Sequence, residues 1–166
     1  MAELTNLESK LGEVVGLAMA AQETTREVTK LARKEKQRGV VELLQRMQKE
    51  AKEAEQRGKQ AAGSFDGKKT AILAEAREVK EKGSKMLQTY LDEESDTLDG
   101  LEFLTMAEAG EADHWEILAT MNKRARNPQL RELVSWGLPI QKRHLKEARA
   151  SSLQLAAEED PNESSS

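Results

Sequence analysis

An all-α fold is predicted by three features of the chain. Ala, Leu, Glu, Lys, Gln and Arg dominate its 166 residues, against 3 Pro and 3% aromatics, which is the vocabulary of long helices with alanine-rich seams. Apolar residues recur at three- and four-residue steps through most of the length. No stretch shows the two-residue alternation of a strand. The length suits a single helical domain over residues 1–157, and the polar composition of 158–166 predicts a disordered tail.

Thr5-x-x-Glu8 reads as a capping box that opens the first helix. Leu4, Leu7, Leu11, Val14, Val15, Ala18, Thr25, Val28 and Leu31 mark its inward stripe, and Gly39 is expected as its C-cap. A second helix is expected over 40–62, with Val40, Leu44, Met47, Ala51 and Ala54 on its seam. Residues 63–67 form a loop in which Asp66 is placed to cap a third helix over 68–92. That helix turns Ile72, Ala76, Val79, Met86, Leu87 and Tyr90 inward. The polar 93–96 stretch is a turn or a bend into a fourth helix over 97–124, whose stripe is Leu101, Leu104, Glu108, Glu111, Trp115 and Leu118. Asn127-Pro128 then restarts the chain, Asn as cap and Pro at the first helical position, for a fifth helix reaching about residue 157. Met19, Met47, Met86, Met106 and Met121 fall at helical seams, where methionine fills gaps in a core.

Composition also removes function classes. Charged residues make up 34% with both signs interleaved, and the net charge of −4 gives no electrostatic reason to expect nucleic acid. With no cysteine there are no disulfides, thiol nucleophiles or cysteine metal sites. No apolar run approaches the roughly 18 residues of a membrane span, and the N-terminus lacks the basic start and apolar core of a signal peptide. A cytoplasmic protein with no membrane contact is the expectation.

The residues that carry chemistry cluster near the C-terminus. The chain has 2 histidines, and each closes a similar four-residue figure, Glu111-Ala112-Asp113-His114 and Gln141-Lys142-Arg143-His144. A carboxylate or amide three residues ahead of an imidazole shares its helix face. If helices four and five form an antiparallel hairpin about Arg126, residues at equal height have numbers summing to about 252. Glu111 then faces Gln141, Glu108 faces His144, and His114 lies within a turn of Gln141. Burying these groups is costly unless they are hydrogen-bonded, paired or bound to a cation. The same rule applied to the first hairpin sets Glu23 opposite Glu53, with Glu50 one turn away. Pro139, inside helix five and close to Gly137, frees the Ser135 carbonyl and predicts a kink beside this cluster.

The stretches LEFLTMAEAGEADHWEIL (101–118) and LPIQKRHLKEA (138–148) resemble the second half of a ferritin-like or rubrerythrin-like four-helix bundle, over roughly residues 97–155. The resemblance implies an antiparallel four-helix bundle with an additional fifth helix. It also implies carboxylates and Glu-x-x-His pairs from four helices holding two iron or manganese ions for oxygen, peroxide or iron chemistry. The chain departs from that pattern: Gln141 stands where a bridging glutamate is expected, and helices one and two offer Glu50-x-x-Glu53 without a histidine. The expected metal ligands are therefore Glu108, Glu111, His114 and His144, with Gln141 as a weak ligand or an orienting donor and Glu23 and Glu53 from the first hairpin. The expected cofactor is one or two iron or manganese ions, or none. Oxygen-rich ligands favour those metals over zinc. The alternative is a non-enzymatic scaffold whose Glu, His and Gln side chains form a hydrogen-bonded polar layer. A homodimer through the alanine-rich face of helix one is a further expectation.

Overall fold

A computed structural model describes residues 1–165 as five α-helices, with no strand among them: α1 (Asn6–Lys34), α2 (Arg38–Ala62), α3 (Lys69–Tyr90), α4 (Thr97–Ala125) and α5 (Pro128–Glu158). Their ends follow local chemistry. Thr5 and Glu8 close the capping box of α1, Asp96 and Asp99 do the same for α4, and the Asn127 side chain accepts from Leu130 N–H ahead of Pro128. α1 ends earlier than its sequence suggests. Lys36 takes the left-handed conformation (φ 59°), Gln37 N–H bonds Ala32 C=O and Lys36 N–H bonds Arg33 C=O, the Schellman pattern. Gly39 is consequently not a cap and lies in the first turn of α2. Asp66 does not cap α3 either. Gly67, at φ 68°, turns the chain between them, and Lys68 holds the cap position without a side-chain bond. Residues 93–96 do form a turn, with Asp92 Oδ1 accepting from the N–H groups of Glu94 and Ser95.

Taken in the order α1, α2, α5, α4, four helices close a ring in which each packs against the next. Every neighbouring pair is antiparallel: Gln22 bonds Glu55 while Val15 packs on Gly58, and Trp115 lies on Gly137 while Asn122 bonds Asn127. α3 lies outside the ring, parallel to α1 and packed along it. The approach is close because α1 carries Gly12 and Gly16 on that face; a Cβ at Gly16 would stand 2.4 Å from Ala76 C=O.

The interior has two apolar halves. One gathers Leu11, Val14, Val15, Ile72, Trp115, Leu118, Leu130 and Leu133, and the other Val28, Leu44, Met47, Leu101, Leu104, Ala148 and Leu155. On α4 the positions between these halves are Glu108 and Glu111, and on α5 Gln141 and His144. A polar layer thus divides the core. The remaining seam expectations need three corrections. Met86, Tyr90 and Met106 are exposed (48%, 57% and 42%), because α3 covers α1 along one stripe and leaves a cleft between itself and α4. Tyr90 still stacks on Phe103, at 5.4 Å between ring centres. Past α5 the chain is exposed and turns at Asp160, whose carboxylate accepts from Asn162 N–H; Glu158 itself belongs to α5, and the last residue of the expected tail, Ser166, lies outside the described residues.

Candidate functional site

α4 presents Leu104, Glu108, Glu111 and Trp115 at successive steps of one stripe, so two carboxyls interrupt its buried face one turn apart. Glu108 is 1% exposed and Glu111 4%. From α5, Gln141 and His144 reach the same level and are equally sealed. The Gln141 amide donates to Glu108 Oε2 and lies 3.4 Å from the Glu108 carbonyl oxygen. α2 completes the layer with Glu50. His144 Nε2 is 3.3 Å from Glu50 Oε1, while His144 Nδ1 is 3.7 Å from Glu108 Oε2. One imidazole therefore stands between the carboxyls of two other helices. On its outer side Glu50 is bonded by Arg143, and Arg46 Nε approaches it at 3.7 Å while also pairing with Glu147.

The electrostatics follow from this burial. Loss of water pushes the Glu108 carboxyl up to about 7, although the bond from Gln141 favours its ionised form. Glu111 is raised well above the usual carboxylate range by burial, then by the neighbouring Glu108 charge. The indole N–H of Trp115 lies near enough to Glu111 to ease its ionisation, yet it completes no hydrogen bond with any acceptor. Burial pushes the His144 imidazole down, against the pull of Glu50. Near neutral pH the layer holds its protons on carboxyls more readily than an exposed cluster would.

The other expected ligands are elsewhere. From Glu108, two successive three-residue steps reach His114 about 120° short of two full turns, whereas the four-residue step from Glu111 to Trp115 stays on the buried stripe, so His114 is carried off it. His114 is half-buried on the α1 side, where Nδ1 lies 3.0 Å from Glu13 Oε2 and 3.2 Å from Lys10 Nζ, and it does not meet Gln141. Glu23 turns to α3, which covers that face of α1: Ser84 Oγ donates to it at 2.5 Å and Lys80 Nζ stands at 3.3 Å. The Ser84 hydroxyl first, and then Lys80, hold the Glu23 carboxyl below its ordinary range. Glu53 faces solvent on α2 and pairs with Arg57 one turn on. Glu23 and Glu53 are therefore not opposed. Their place at the hairpin interface is taken by Gln22 and Glu55, 2.6 Å apart.

Among the described residues, no group of three or more His, Asp or Glu side chains is arranged to hold a metal ion. The geometry explains this. The two nitrogens of an imidazole point away from one another, so Glu50 and Glu108 lie on opposite sides of His144. No single position is at the ~2.0–2.2 Å ligand distance from all three groups. Arg143 adds a positive charge on Glu50, and Gln141 supplies an amide where a carboxylate would attract a cation. The residues present do not fit the two-metal centre that the resemblance implies. Sequence reasoning underrated Glu50 and passed over Arg143. The signal was available, since Arg143 sits beside His144 in the one run that supplies the layer from α5, and Glu50 shares a helix face with Met47. No helix is long and apolar enough to cross a membrane among the described residues. In comparisons with known proteins, no family model matches the chain, and no curated protein or solved structure matches it either.

Proposed function

We propose that this chain is a metal-free helical scaffold of ferritin-like architecture, in which a proton-holding polar layer fixes how the helices pack. Support for the architecture comes from connectivity: α1–α2 and α4–α5 are antiparallel hairpins, and α3 serves as the crossover between them. The observation that carries the rest is the position of His144, with each ring nitrogen turned to a different carboxyl. Nε2 is within hydrogen-bond distance of Glu50 and Nδ1 faces Glu108 at 3.7 Å, so the ring links three helices while its two edges do not converge on one cation position. Gln141 on Glu108 and Arg143 on Glu50 supply partners for these two carboxyls. The layer would act as buried polar groups do where they select one helix register over others.

Metal analysis of protein purified without chelator, with thermal unfolding in Fe(II), Mn(II) and Zn(II), tests this reading. The expected result is no stoichiometric metal and no shift with any ion. His144→Ala should lower stability by about 2–4 kcal/mol through the cavity and the unpaired carboxyls it leaves. Stoichiometric iron or manganese that disappears in His144→Ala would overturn the proposal and restore the metal-centre expectation.

A further inference from the structure

A cleft of about 260 Å³ opens between α3 and α4 with α1 as its floor. Its walls are almost wholly apolar, and Met86 and Met106 form an exposed rim on either side. Glu108 and Glu111 line its inner end. Glu111 is nearly sealed from solvent and no donor meets it squarely, because the Trp115 N–H beside it completes no bond. A buried carboxyl lacking a donor, at the end of a hydrocarbon-lined cleft, is an incomplete arrangement.

We propose that this cleft binds a small amphipathic primary amine, its alkyl chain between Met86 and Met106 and its ammonium group on the Glu111 carboxylate. Two observations select this chemistry. The volume is just under the usual range for drug-sized ligands, roughly 300–1,000 Å³. At about 30 Å³ per water-sized group it holds roughly nine non-hydrogen atoms. The inner end presents two carboxyls one turn apart, of which Glu108 already accepts from Gln141 while Glu111 has only the Trp115 indole beside it, and an ammonium brings three donors and the opposite charge. A carboxylate ligand would add a third acid to that end. An alcohol would supply one donor and no charge. As the ammonium seats, the proton that burial keeps on Glu111 passes to bulk buffer, leaving a carboxylate–ammonium pair.

Titration calorimetry with n-octylamine, n-octanol and n-octanoate, at pH 8 with EDTA present, tests the site directly. The amine is expected to bind about tenfold or more tighter than either analogue, with proton release revealed by buffers of different ionisation enthalpy. Glu111→Gln keeps the shape of the side chain and should abolish the preference for the amine. Gly110→Leu provides a second variant, since Gly110 lines the cleft and a Cβ there meets nothing within 4 Å; the added side chain should block binding while the fold stands. No binding of octylamine, equal binding of octanol or octanoate, an unchanged preference in Glu111→Gln, or unchanged affinity in Gly110→Leu would each overturn the proposal. None of these outcomes bears on the metal-free scaffold, which is read by metal content.

Discussion

At the scale of single residues, Glu108 sets how stability responds to pH. Its carboxyl titrates near 7 in the fold and near 4.5 in the unfolded chain, so the unfolded state releases the proton first as pH rises. The stability tied to the protonated form is complete below about 4.5 and is lost as pH climbs through about 7. Glu111 is raised by the same burial and acts in the same direction. His144 acts oppositely, because its lowered value means that the unfolded imidazole takes up a proton first as pH falls below about 6.5. Glu108→Gln keeps an acceptor for the Gln141 amide and removes the charge. It should be more stable than the parent by about 1–3 kcal/mol at pH 8, with the advantage shrinking towards pH 5. Urea unfolding of both proteins across this range measures the difference, and parallel curves would show that the Glu108 proton is not linked to folding. Gly137 is another residue whose role becomes clear only in the packed structure. A Cβ there would stand 2.3 Å from the Trp115 ring, so the glycine exists to seat that indole beside the polar layer. In sequence, next to Pro139, it reads as a helix distortion.

Among the elements, the helices themselves were largely legible because their signals are local. The Thr5/Glu8 box, the Asn127-Pro128 start and the stripe from Leu101 to Leu118 all describe contacts within a few residues of one another. Glycine at the α1–α2 junction misled for the opposite reason. Gly39 is the residue best suited to a left-handed cap, yet the Schellman bonds form around Lys36, where the turn geometry demands the positive φ. The inward stripe of α3 was legible in Ile72, Ala76 and Leu87, but the face of α1 that receives it was not, because that face rests on absent side chains. Gly12 and Gly16 let the two backbones approach, and Ala20 meets Gly83 further along the same seam. Gly16→Ala therefore places a methyl against a backbone carbonyl that cannot rotate away, outweighing the gain of about 1 kcal/mol in helix propensity. The expected loss is about 1–3 kcal/mol, concentrated in α3. Hydrogen exchange should show faster exchange of α3 amides while those of α4 and α5 keep their protection. Uniform loss across all five helices would mean that α3 and the ring unfold as one unit.

For the molecule as a whole, the decisive quantity is helix register, and the sequence specified it only to within a turn. The hairpin about Arg126 brings Glu108 beside His144 as counted, but Gln141 pairs with Glu108 instead of Glu111, and His114 rotates out of the layer to Glu13. Counting residues along two helices fixes height but not the side-chain direction around each axis, and direction decides which pairs meet. Contacts between hairpins are harder still. Glu50 reaches His144 only because α2 packs against α5, a relation between helices far apart in the chain. The resulting layer separates two apolar halves that would otherwise merge, and its cost and its specificity can be measured apart. Gln141→Leu leaves the buried Glu108 carboxyl without its donor and should cost about 1–3 kcal/mol. Adding Glu108→Leu removes the stranded group and replaces both with hydrocarbon of similar size. The double variant should recover the parent's stability or exceed it, as happens when buried polar pairs are exchanged for apolar ones. If the layer sets the register, that gain comes with loosened packing, seen as weaker near-ultraviolet dichroism from Trp115 and lower unfolding cooperativity. A double variant that is both more stable and as sharply cooperative would show that hydrocarbon alone aligns these helices. One that loses the sum of the two single effects would show that the Gln141–Glu108 pair stabilises the fold outright.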